Sequence, residues 1–358
     1  MLWMIASPLL GAILGYGYAQ IPRLLDRNNL KANSNLAPLP KSLTMLLDAF
    51  EEERLKHKRR SDLWDLILFT LFGAFSWFFF TQLDSRVAKL YFFVLLFFSV
   101  IMVIKSRFFR LKSFTKEYKQ EVLGGLIAGL DPRLEYVRDK MIPQEALVAS
   151  GLYGIDKLIQ DKTPLTIEGE DHVHGKLDGV DVQISDLEIY KGEGEQVKLV
   201  FSGTFMVAEF PTPFSGKSYV LPDFSDAKVL KEMLHEVSNK KTFRVDAPRV
   251  DTEDGPFEKV YEVHGTDEPA TKRLIDAQVK EQLLALDGRS DDKVQVAVSF
   301  CENRMYLGSL LSNLQFEPKL HKPVNRPEDW QYIYTQLGLY LSLIKAISQA
   351  RKVSTPAE

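Results

Sequence analysis

The 358-residue chain contains one cysteine, Cys301. A lone thiol excludes an internal disulfide framework and any site built on a cysteine pair, and it accords with a reducing compartment. Further absences remove enzyme classes. No His-Glu-x-x-His run of a zinc hydrolase occurs. Ser202-Gly203 lacks the preceding glycine of a nucleophile elbow. Gly192-Glu193-Gly194-Glu195 carries carboxylates where a phosphate would sit, so it is not a phosphate loop. The long apolar runs have no ionisable residue at their centres, Asp65 and Lys89 lying at the ends, which argues against an ion or proton pathway formed by this chain alone.

What the chain does have is a pair of phenylalanine-rich apolar runs, Leu66 to Phe80 and Leu90 to Ile104, joined by the short loop Thr81 to Lys89. Basic residues flank them: Lys56, Lys58, Arg59 and Arg60 before, then Lys105, Arg107, Arg110 and Lys112 after. This pattern predicts a membrane hairpin with both open ends, and the domain after Lys112, on the cytoplasmic side. Each run is about 15 residues against the roughly 20 of a full span. Leu63, Trp64 and Leu83 can extend the first, and Val87, Ala88 and the stem of Lys89 the second. The rival is a buried hairpin of a soluble domain, but neither run shows the polar face such a helix needs.

A third apolar stretch, Leu2 to Ile21, precedes Arg23, Arg27 and Lys31 and carries Gly11 and Gly15 at helix-packing spacing. It reads as a transmembrane helix ending in the cytoplasm. A cleaved signal peptide is the alternative, with Gly17 and Ala19 near a cleavage site, although no basic residue precedes the apolar region.

The net charge of −3 hides an asymmetry. Residues 1–112 hold 15 Lys and Arg against 8 Asp and Glu, whereas residues 113–358 hold 30 against 40. Positive charge lies where anionic head groups would be met. The acidic remainder argues against nucleic acid as a partner.

The pattern divides the chain into a transmembrane helix (1–22), a linker with an amphipathic helix (23–62), the hairpin (63–106), a helical extension (107–150), an α+β domain (151–325) and a C-terminal helix with tail (326–358). In the linker, Leu43, Leu46, Leu47, Phe50 and Trp64 suggest one apolar stripe. After the hairpin, Phe114, Tyr118, Val122, Leu126 and Leu130 recur every four residues, predicting a helix that ends near Asp131-Pro132. A short helix is expected from Pro143 to about Ser150. Strands begin at Leu165. A hairpin over Val173–Ile189 turns at Asp178-Gly179, and further strands lie at Val197–Phe210 and Lys217–Leu221. A helix at Ala227–Ser238, a strand at Glu258–Val263, a helix at Glu268–Leu286, a hairpin at Lys293–Leu310 and a helix at Pro327–Ala350 complete the reading. The fold class is α+β: transmembrane helices, one single and one hairpin, followed by a mixed, mainly antiparallel cytoplasmic domain.

Chemistry is sparse. His172 and His174 stand two apart on a strand, so both imidazoles can reach one ion. Asp171 or Asp181 could add a ligand, yet no third is identified, and two ordinary half-exposed histidines are the plainer reading. Cys301 has no base placed by the pattern, His264 and His321 being the only candidates weighed. Asp246, Asp251, Glu253 and Asp254 cluster without fitting the EF-hand pattern and read as a solvated loop. No catalytic residue and no cofactor is assigned.

Short motifs run in order through the chain: Ser150-Gly151-Leu152-Tyr153, Gly169-Glu170-Asp171-His172-Val173-His174-Gly175-Lys176, Phe201-Ser202-Gly203-Thr204-Phe205, Phe214-Ser215-Gly216 and Val220-Leu221-Pro222. They continue with Phe257-Glu258-Lys259, Tyr261-Glu262-Val263, Phe300 to Tyr306 and Phe316-Glu317-Pro318. In this order, over roughly Lys56 to Pro318, the chain resembles an uncharacterised bacterial integral-membrane family, a domain of unknown function. Its members have a two-helix membrane hairpin followed by a cytoplasmic α+β domain. The resemblance implies a multi-pass place in the bacterial inner membrane and a membrane-protein partner, of the LemA type, or a homo-oligomer. It carries over no reaction. The function expected is thus a membrane-anchored scaffold or interaction module. A membrane-tethered hydrolase or metal-dependent enzyme using His172 and His174 and a lipid-surface sensor using Arg107, Arg110 and Lys112 are the alternatives.

Overall fold

Alternation of apolar and polar residues builds one antiparallel sheet, as the hairpin pattern requires. The computed structural model describes residues 38–82, isolated positions between 94 and 105, 114–222, 245–253, 255–287, 295–310 and 323–353. Eight strands are ordered β1-β2-β3-β4-β8-β7-β5-β6. They are β1 (Leu134–Val137), β2 (Leu165–Leu177), β3 (Val180–Lys191), β4 (Lys198–Glu209), β5 (Ser218–Pro222), β6 (Tyr261–Gly265), β7 (Gln295–Cys301) and β8 (Arg304–Leu310). All pairings are antiparallel. The turn at Asp178-Gly179 has φ of 51° and 90°, the left-handed pair that a two-residue hairpin needs.

Helices cover both faces. One core joins the sheet to α1 (Lys41–Gln82), α2 (Gly124–Leu130), α7 (Ala277–Asp287) and α8 (Pro327–Val353). The other joins it to α3 (Gln144–Ala149) and α4 (Ile155–Gln160). The short helices α5 (Gly255–Glu258) and α6 (Glu268–Leu274) flank β6. The cores are offset along the strands. On β3, Val182 and Ile184 enter the first core, whereas Leu187 and Ile189 enter the second. A one-residue bulge in β2 between Glu170 and Val173 makes the same exchange: Leu165 and Ile167 pack on the second core, Val173 and Leu177 in the first. With a side-chain period of two, one extra residue flips every following side chain.

The four-residue spacing from Phe114 also has a physical outcome. On an α-helix each step of four overshoots a turn by about 40°, so four steps drift by about 160°. Residues 114–118 are α-helical, then Lys119–Leu123 forms a π-helical turn before α2. The extra residue of a π turn takes back about 100°. Phe114, Tyr118, Val122 and Leu126 therefore all stay buried. Where α2 passes α1, a Cβ on Gly125 would lie 2.7 Å from Leu46 Cδ2, so any larger residue would need that leucine to shift.

Several expectations need correction. The helix of the linker is continuous with the first apolar run, but Trp64 is 47% exposed and off the stripe of Leu43, Leu47 and Phe50. Leu134–Val137, read as helical extension, is the edge strand β1: Pro132 ends the helix and the next four residues alternate buried and exposed. The helix expected over Glu268–Leu286 breaks at Ile275, because Asp276 accepts from the Val279 N–H and starts α7. The strand expected from Glu258 starts at Tyr261, the preceding residues forming α5. The 173–189 hairpin extends to Leu165 and Lys191. The C-terminal helix is part of the first core, with Trp330, Ile333, Leu337 and Tyr340 buried there.

Among the described residues no helix is long and apolar enough to cross a membrane. The segment Leu2–Ile21 with Gly11 and Gly15, the residues Arg107, Arg110 and Lys112, and the helix Ala227–Ser238 lie outside the described residues.

Candidate functional site

The β2 bulge places two adjacent side chains on opposite faces, and a polar cluster forms around each. Asp171, at φ 58°, turns toward the first core and is 1% exposed. Its carboxylate accepts from Tyr136 Oη at 2.5 Å and from Lys119 Nζ at 3.0 Å. Lys119 also bonds Glu170 at 3.0 Å and is itself 2% exposed, delivered inward by the π turn. Burial disfavours the ammonium, but the charges of Asp171 and Glu170 more than restore it, and its pKa is raised. Burial pushes the Asp171 carboxyl above the usual carboxylate range, against the pull of Lys119. A charged lysine locked between two carboxylates is no nucleophile. This arrangement is a clasp between the helical turn leading into α2 and the sheet edge. Beside it a small apolar crevice is lined by Leu123, Ile127, Val173, Ile333 and Leu337.

His172 points the other way. Its Nδ1 lies 2.9 Å from Ser185 Oγ, which accepts the Ile142 N–H at 3.1 Å. Burial, then the His174 and Lys140 charges, push its pKa down to about 4, so the ring is neutral at physiological pH. The two imidazoles share a face as the spacing predicts, with ring centroids 5.4 Å apart. His174 is half-exposed, with Glu135 at 3.9 Å. Asp181 instead pairs with Lys176 at 3.0 Å. Among the described residues no group of three His, Cys, Asp or Glu side chains could hold a metal ion.

A second junction ties α1 to the segment that leads into α8. Glu51 accepts two bonds from Arg54, at 2.6 and 2.8 Å, and one from the Val324 N–H at 2.9 Å. The Arg54 bond holds its carboxyl below the usual value. Asn325 Nδ2 donates to Asp48 at 2.8 Å, and Trp330 Nε1 to the Val324 carbonyl at 2.9 Å. Beyond this junction α1 carries Lys58, half-buried, and exposed Arg59 and Arg60, then its apolar half. Leu66, Leu71, Phe75, Trp77 and Phe78 there are each at least half exposed. Lys105 is exposed as well.

The remaining candidates are structural. Cys301 is buried at the end of β7, its thiol directed at Tyr219 Oη at 3.8 Å, and burial raises its pKa. His264 Nδ1 lies 3.0 Å from the Ala247 carbonyl; His321 is outside the described residues. Asp251 caps its own loop by accepting the Glu253 N–H. Glu258 accepts from the Thr252 N–H and hydroxyl. Asp246 is exposed, and Asp254 lies outside the described residues. Ser202, on β4, donates to Glu188. Sequence reasoning missed Lys119, Tyr136 and Glu51. The regular four-residue stripe was a signal for the π turn, but nothing local marked the partners of Lys119.

Residues 199–349, from β4 into α8, match the model of a family described as a protein of unknown function (DUF3137). This accords with an uncharacterised family, and the match takes in the motifs from Phe201 to Pro318 but not the Gly169–Lys176 stretch around the bulge. No curated protein matches the chain. A solved structure, the mycobacterial trehalose monomycolate transport factor A, TtfA, is similar at 10% identity over 63% of this chain and 96% of that one. Its TM-score of 0.28 is too low to relate the two folds.

Proposed function

We propose that this chain is a membrane-anchored, non-enzymatic interaction module. Its acidic α+β domain is held at the cytoplasmic face of the bacterial inner membrane, where it binds a membrane-protein partner or assembles with itself. One observation carries the reading. The single helix α1 packs its first half into the domain and leaves large apolar side chains bare on its second, where nothing in the described chain covers them. In water such a surface is an aggregation liability; in a bilayer it is solvated. The helix is about 60 Å long, enough to carry the apolar half clear of the domain. Basic Lys56, Lys58, Arg59 and Arg60 lie at the boundary, as head-group contacts require. Runs of about 15 residues suit a locally thinned bilayer. The clasp and junction, fully hydrogen-bonded, add rigidity rather than a reactive group.

The test has two readouts on the full chain. Retention in the membrane pellet after an alkaline wash supports anchoring, and release into the supernatant overturns it. In-cell crosslinking followed by detergent purification and mass measurement should give a defined hetero- or homo-complex. A lone monomer that turns over a substrate would overturn the interaction reading.

A further inference from the structure

The two edges of the sheet are finished differently. At β6, the segment around Pro248–Val250 covers the outer side, with the Val250 N–H on the Val263 carbonyl at 2.8 Å and the Gly265 N–H on the Pro248 carbonyl at 2.9 Å. At the other edge β1 is only four residues long and covers His172 to Gly175 of β2. Among the described residues, the first part of β2 runs on without a neighbouring strand. Its outward groups follow from the register. The Gly192 N–H bonds the Pro164 carbonyl, so Thr166, Glu168 and Glu170 are the residues bonded to β3. Leu165, Ile167 and Gly169 direct their backbone N–H and C=O away from the sheet. Thr166, Glu168 and Gly169 are exposed.

The flanking side chains define what would fit. On one face Leu165 and Ile167, with Met141 and Leu158, are only partly buried against the second core. On the other, Glu168 stands directly opposite Glu188, and Glu170 opposite Asp186. Like charges directly opposite are destabilising. Lys119 relieves Glu170, whereas Glu168 has no ion-pair partner among the described residues. Native proteins blunt open edges with lysine, proline or a bulge; from Leu165 to Gly169 this one has none.

We propose that this edge is a docking site for an extended protein segment that alternates apolar and basic residues, adding a strand beside β2. Main-chain bonds to Leu165, Ile167 and Gly169 hold the segment, its apolar side chains meet Leu165, Ile167 and Met141, and its basic ones meet Glu168. Two copies of the edge would set like charges together, so a second copy is the wrong partner. The inference rests on the interaction reading and names the chemistry of its partner.

The test uses the full chain in detergent and, as probe, a synthetic peptide alternating lysine and valine, with a glutamate–valine peptide as control. The lysine–valine peptide should slow amide exchange at Leu165, Ile167 and Gly169, and the control should not. Ile167→Pro removes an outward N–H without breaking the bonds to β3; it should abolish protection with an unchanged melting temperature. Should that variant fail to fold, Glu168→Lys at an exposed position should weaken the peptide by about tenfold or more. Protection that is absent, that falls elsewhere, or that does not depend on peptide charge would overturn the proposal, as would unchanged affinity in Glu168→Lys. Such a failure leaves membrane retention and crosslinked complexes as they are, so it is distinguishable from failure of the broader reading.

Discussion

The two halves of α1 are made of similar residues in different arrangements. From Lys41 to Arg54 the buried side chains are Leu43, Leu47, Phe50 and Arg54, one stripe that meets Tyr118 and α2. From Leu63 to Phe78 large apolar side chains point in every direction, and Leu71, Phe75 and Trp77 are 63%, 50% and 66% exposed. About two turns of helix separate a surface ordered for a protein neighbour from one that has none among the described residues. The difference teaches that apolar content does not locate the core; direction does. The polar residues follow the same division. Those of the first half are bonded to Val324 and Asn325, just ahead of α8, whereas Arg59 and Arg60 are exposed.

The comparison can be broken most sharply from the domain side. Trp330, fully buried against Tyr118 in the first core, should cost about 3–5 kcal/mol on replacement by alanine, read by denaturant unfolding in detergent. Lys119→Met should cost about 3–5 kcal/mol by leaving Asp171 buried and unpaired, and the double variant Lys119→Met, Asp171→Leu should recover most of it. A smaller loss comes from acid. Because the folded pKa of His172 is depressed to about 4, the unfolded imidazole takes up a proton first as pH falls below 6.5. Stability present above pH 6.5 should therefore drop by about 2–3 kcal/mol toward pH 4, and His172→Asn should flatten that part of the profile. Glu51→Ala, which strands the Val324 N–H, should cost about 1–2 kcal/mol. Least of all, Leu71→Gln with Phe75→Gln should change domain stability by no more than about 0.5 kcal/mol. The same pair should release the chain from membranes in the alkaline wash. A large loss of domain stability there would show that the second half of α1 has a protein neighbour after all.

How much of this was legible depends on distance along the chain. The hairpin at Asp178-Gly179, the hairpin ending at Leu310 and the long C-terminal helix were readable because turn chemistry and periodicity are local. The break at Asp276 was hidden inside a continuous apolar pattern, since a capping aspartate looks like any polar residue of a helix surface. The edge strand β1 was missed because four residues carry too little alternation. The Lys119–Asp171 pair spans 52 residues and depends on two irregularities, a π turn and a bulge, that each shift phase by one residue. Asp171 was singled out beside the histidines, but the bulge turns it away from them.

The α1–α8 junction also sets a timetable. Asp48 and Glu51 meet Asn325 and Val324, 277 and 273 residues later. At about 5–20 residues per second, synthesis takes tens of seconds to supply those partners. During that interval the first half of α1 has no finished surface to close on, while the apolar half is already made. The helix thus commits one end to its surroundings long before the other end is claimed by the domain, and the segment leading into α8 is what closes that junction.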